Sequence, residues 1–78
     1  MSNFKYKLKT DIAIFEIKKE PLGLWDLWVN SMATITFESP EDAVNAVINK
    51  NTGYSVWDMQ ENLNYDQLRI ENWIKIEI

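Results

Sequence analysis

Histidine and cysteine are both missing from this sequence, and their absence settles most of the available chemistry. No Ser-His or Cys-His nucleophilic pair can form, and the usual ligands of a catalytic zinc are not there. Only Gly23 and Gly53 are present, far apart, so no Gly-rich loop can cradle a phosphate. What remains is twelve carboxylates, seven lysines, Arg69, three tyrosines and a few serines. Carboxylate pairs arise by chance in so acidic a chain, and without a frame they are solvated surface, not an acid–base couple. The densest group of hard oxygen ligands is Asp58, Glu61, Asn62, Asn64 and Asp66. It lacks the spacing and the glycine of an EF-hand and reads as a polar loop. The expectation is a protein without enzymatic activity, cofactor or metal.

Charge narrows the partners. The net charge of −4 opposes nonspecific binding to duplex nucleic acid and to anionic membrane surfaces. The balance is uneven: residues 1–19 hold five lysines against Asp11 and Glu16, and residues 20–78 hold ten acids against Lys50, Arg69 and Lys75. No apolar run of signal-peptide length follows the lysines of Met1 to Lys9, and Ile12-Ala13-Ile14-Phe15 is far short of a membrane span. A cytoplasmic location is expected.

These residues need elements to hold them. The helix signal lies at Ser39–Lys50: Ser39 can cap, Pro40 fits the first turn, Glu41 and Asp42 suit the positive end of the dipole, and Val44, Val47 and Ile48 make one apolar stripe. Asn51-Thr52-Gly53 supplies the stop. Before it, Phe4, Tyr6, Leu8, Thr10, Ile12 and Ile14 alternate with Lys5, Lys7, Lys9 and Asp11, which is a strand with one buried face. That pattern blurs near Phe15–Ile17, where a bulge or a break is expected. Pro21 and Gly23 mark a hairpin turn. Trp25, Leu27 and Val29 share a strand face, Asn30-Ser31 is either a turn or an irregularity, and Met32–Glu38 is a strand. Tyr54–Met59 reads as a short strand and 60–67 as a loop. In the last segment Leu68, Ile70, Ile74, Ile76 and Ile78 share the core face, with Trp73 on the other. The sum is one α+β domain over 1–78: a single antiparallel sheet of four or five strands, one helix on one face, in the order β-β-β-α-β-β.

Met32–Val47 resembles the third strand and second helix of the RNA recognition motif, whose strand carries aromatic residues that stack on bases. Here Met32 and Thr34 fill the two inner aromatic positions and Phe37 alone remains, so the likeness is one of local structure. Lys5, Lys7 and Lys9 beside Tyr or Trp rings give the alternative of a single-stranded nucleic-acid binder.

Protein binding suits the composition best. Exposed tryptophans and arginine are the usual anchors of interfaces. Trp28, Trp73 and Arg69 are the candidate contacts, with Glu41, Asp42, Asp58, Glu61 and Asp66 as an acidic rim facing a basic partner surface. In size and charge the chain is similar to the small inhibitors of phages and mobile elements, anti-CRISPR proteins among them, which often cover basic nucleic-acid-binding surfaces with carboxylates. If the last strand lies at a sheet edge, its free backbone also offers a route to a homodimer or a self-associating structural protein.

Overall fold

The computed structural model describes residues 4–77. Its strands are β1 (Phe4–Lys9), β2 (Ile14–Lys19), β3 (Trp25–Val29), β4 (Met32–Phe37) and β5 (Ile74–Glu77). All neighbours run antiparallel, in the sheet order β4-β3-β2-β1-β5. Helix α1 (Pro40–Ile48) lies over β3 and β4. A one-turn helix, α2 (Ser55–Asp58), and 3₁₀ turns at Tyr65–Leu68 and Ile70–Asn72 lead to β5. The expected α+β fold, one antiparallel sheet with a helix on one face, is the fold observed. Its element order differs: four strands precede the helix and one follows.

The extra strand comes from a break at Thr10. Its hydroxyl accepts from the N–H of Ile12 and of Ala13 (3.2 and 3.0 Å) and donates to the Ala13 carbonyl at 2.7 Å. This hydroxyl-closed turn reverses the parity of the pattern. Phe4, Tyr6 and Leu8 face the helix before it; Ala13, Phe15 and Ile17 do so after it, and Ile14 moves to the opposite face. At Asn30 and Ser31 both φ values are positive, 50° and 69°, as a two-residue hairpin turn of the primed type requires. The register then slips between Leu27 and Trp28, leaving Thr34 as the extra residue of a bulge, its hydroxyl donating to the Leu27 carbonyl at 3.2 Å. Ile35 and Phe37 therefore share the helix side with Leu27 and Trp25, while Ala33 sits beside Trp28 on the open side.

Helix α1 begins as its sequence dictates, with the Ser39 hydroxyl accepting from the Asp42 N–H at 3.1 Å. Its stop falls earlier than expected. Lys50, at φ 60°, adopts the left-handed conformation, and the Asn51 N–H donates to the Ala46 carbonyl at 2.8 Å, the bond of a Schellman motif. The segment expected as a strand over Tyr54–Met59 is instead α2, because Asp58 folds it back. The Asp58 carboxylate accepts from the Thr52 N–H and hydroxyl (3.0 and 2.7 Å) and from the Gly53 N–H at 3.1 Å. This places Trp57 in the core, where its indole N–H donates to the Val47 carbonyl at 2.9 Å.

The last segment overturns its expectation. Only residues 74–77 form strand, and their phase is the reverse of the one read from the isoleucines. Tyr6 pairs with Lys75 and Phe4 with Glu77, so the odd positions face the helix layer and Ile74 and Ile76 face the open side. Trp73 is 5 % exposed, its N–H donates to the Leu68 carbonyl at 2.9 Å, and its ring lies 6.1 Å from that of Phe15. One indole buries more apolar area than an isoleucine and here finds a carbonyl for its polar end, so it takes the core and leaves Ile74 64 % exposed. Ile78 lies outside the described residues. At the other end of the helix-side layer Phe4, Tyr6 and Trp25 pack ring to ring, 5.5–6.3 Å apart, with the Lys75 ammonium 4.1 Å from the Phe4 ring centre.

Candidate functional site

Two surfaces of opposite charge stand on the two sides of this sheet. The acidic one is built where β4 turns into α1. Glu38 ends the strand, and Glu41 and Asp42 occupy the first helical turn, where their charge suits the helix dipole. Thr36, Phe37, Glu38, Asp42, Asn45 and Asn49 line a shallow groove of about 470 Å³ between the β4 edge and the helix. On the other flank of α1 a second groove, of about 200 Å³, is lined by Glu41, Val44, Asn45, Ile48 and the Arg69–Glu71 segment. Arg69 is bracketed by Asp66 at 3.5 Å and Glu71 at 3.8 Å, both exposed pairs that screening makes weak. One exposed ridge of α1 thus carries Glu41 and Asn45, with carboxylates on both sides and Arg69 as the one cation beside it among the described residues.

The expected contact residues divide. Glu41, Asp42, Arg69 and Asp66 come together at this acidic end. Glu61 is exposed in the loop after α2 and lines neither groove. Asp58 is committed to the backbone of residues 52–53. Trp73 is a correction: it is core, not surface, because β5 enters the sheet in the opposite phase. Trp28 does lie on the side of the sheet away from the helix, half-buried, with the Lys18 ammonium 4.2 Å from its ring centre. Residue order alone missed Glu38, Glu71 and Asn45. Glu38 stands immediately before the Ser39-Pro40 capping signal, which could have marked it; nothing local places Glu71 beside α1.

The open face of the sheet is basic. Cross-strand registers put Lys5, Lys7, Lys9 and Lys18 on it, together with Ile14, Glu16, Asp26, Trp28, Ile74 and Ile76. Glu16 is the hub: Lys5 donates to its carboxylate at 2.7 Å, and Lys18 approaches at 4.0 Å. The Lys5 hydrogen bond, with the charge of Lys18 and Lys7 nearby, holds the Glu16 carboxyl below its usual range against the opposing effect of burial. Among the described residues Lys7 and Lys9 have no carboxylate within 4.0 Å. The same alternation that exposes these lysines sends Phe4 and Tyr6 to the helix side, so the rings needed for base stacking are not beside them.

The metal-like loop disperses as well: Asp58 is bonded to residues 52–53, Asn64 caps the Gln67 N–H, and the Asp66 carboxylate pairs with Arg69. No three acids converge among the described residues, and no helix there is long and apolar enough to cross a membrane. Comparison with protein-family models, with curated proteins and with solved structures found no match.

Proposed function

We propose that this chain is a non-enzymatic protein-binding module that covers a basic surface of its partner, in the manner of a small masking inhibitor. The observation that supports it is the grouping of Glu38, Glu41, Asp42, Asp66 and Glu71 around the exposed ridge of α1, with Arg69 the one cation among them in the described residues. Grooves on both flanks of that ridge give a partner's lysine and arginine stems apolar walls at Val44, Ala46 and Ile48, and carboxylates at the ends. The backbone of Glu41 and Asp42 is already ordered in a nine-residue helix, which spares part of the entropic cost of binding. Their summed field speeds encounter with a basic surface and weakens as salt rises.

A photoreactive amino acid at position 45, on the ridge itself, tests this in cells of the source organism. The expected result is one cross-linked protein with a basic contact surface, lost when Glu41→Lys and Asp42→Lys are introduced together. Cross-links that survive the charge reversal overturn the reading.

A further inference from the structure

The open face of the sheet carries charge in a pattern that folding does not ask for. An antiparallel sheet with one wet face needs only polar side chains there. Here Lys5 stands directly across from Lys18, a like-charge pair that destabilises strand pairing. Glu16 offsets part of that repulsion and is consumed by it, since both lysines approach its carboxylate. Lys7 and Lys9 continue the line along β1. Among the described strand residues the face holds four lysines and, in Glu16 and Asp26, two acids, in a chain whose net charge is −4.

Apolar groups are set among these charges. Ile74 is exposed and Ile76 half-buried on β5, beside Lys7 and Lys5 respectively. Across the sheet, Trp28 lies opposite Glu16, and its indole N–H is shielded from solvent without an acceptor among the described residues, although the two other indoles whose bonds are described, Trp57 and Trp73, both reach a carbonyl. Lys18 covers the Trp28 ring and is held there by the ring's quadrupole and by Glu16.

We infer that this face is a second docking site, for an acidic protein segment whose carboxylates are interspersed with aliphatic side chains. Charge complementarity selects the acidic partner: carboxylates meet Lys7 and Lys9, and one that draws the Lys18 ammonium outward gives the Trp28 N–H an acceptor. The aliphatic side chains meet Ile74 and Ile76, which offer branched surface and no ring. That chemistry favours protein over single-stranded nucleic acid, whose bases need stacking platforms. On this face the one ring is already occupied by an ammonium, and the negative Glu16 sits among the lysines that phosphates would need.

The test is titration of the ¹⁵N-labelled full chain, at low salt, with a synthetic peptide of alternating glutamate and leucine, and separately with an oligothymidylate of equal charge. The peptide is expected to shift the β1 and β2 amides and the Trp28 indole resonance, leaving α1 unmoved, and to be displaced by added salt. Lys9→Glu should weaken it by about tenfold, as removal of a close charge pair does. Lys9→Ala, which introduces no new charge, should give a smaller loss in the same direction. No shift at low salt overturns the proposal. So does tighter binding of the oligothymidylate, which would make the face a nucleic-acid site, or a map centred on α1.

Discussion

Glu16 is placed where its loss should be felt most on the open face. It accepts from Lys5 at 2.7 Å, its side chain is 13 % exposed, and it separates two lysines that stand opposite each other. Glu16→Gln keeps the shape and removes the anion, so Lys5 and Lys18 repel without relief. A partly shielded, charge-assisted bond of this kind contributes about 1 kcal/mol, which in a domain of this length is roughly 4–8 °C in Tm. The pH dependence follows from the sign of the shift. The Glu16 carboxyl titrates below its usual range in the folded chain, so its stabilisation is fully present above the ordinary glutamate pKa and is lost as pH falls through the lowered one. Thermal unfolding across pH should therefore show a constant gap between wild type and Glu16→Gln near neutrality, closing below about pH 4.3 as the glutamate protonates and comes to resemble glutamine. A gap that persists into strong acid would mean that the ion pair is not what stabilises this face.

Among the elements, the β3–β4 hairpin carries strain that a single substitution can relieve. Its two turn residues both need positive φ; Asn30 suits that and its side chain also accepts from the Ile14 N–H at 2.9 Å, but Ser31 at φ 69° has no such compensation among the described bonds. Ser31→Gly should stabilise the protein by about 0.5–1 kcal/mol, the relief of left-handed strain less the greater freedom glycine has when unfolded. A raised urea midpoint at unchanged slope checks it, and a lowered midpoint would contradict the turn assignment. The contrast between these elements also shows what the sequence made legible. Period two from Phe4 to Leu8, the cap at Ser39, the stripe of α1 and the Pro21–Gly23 turn are local signals, and each is where the chain announces it. The failures are places where a side chain overrides a period. Thr10 closes a turn inside a run of unbroken alternation, and Asp58 bends a strand-like hexapeptide into α2. In β5 the isoleucines gave a cleaner pattern than the single tryptophan, yet the phase was decided by the Leu68 carbonyl and the Phe15 ring, partners distributed along the fold. The acidic end was half legible for the same reason: Glu41 and Asp42 belong to a helix start that can be read, whereas Glu71 reaches α1 through two 3₁₀ turns that cannot.

At the scale of the whole molecule, the sheet separates a basic open face from an acidic helix end. Net charge and local charge therefore make different demands on a partner. If binding were governed by the overall field, any substitution that restored the net charge of −4 would restore affinity. If the two surfaces act locally, position decides. Lys9→Glu moves the net charge to −6 and Glu41→Lys moves it to −2, and the double variant returns it to −4 with both patches altered. Both positions are exposed and on opposite layers, so Lys9→Glu should leave stability within about 0.5 kcal/mol, Glu41→Lys should cost about 0.5–2 kcal/mol through the helix dipole, and the two effects should add. The double variant is then expected to run like the wild type in native electrophoresis and ion exchange, yet to bind both the acidic peptide at β1 and the basic partner at α1 more weakly. Each single variant should weaken only its own. Recovery of either interaction in the double variant would show that steering by total charge, not the arrangement of residues on the two faces, sets what this protein binds.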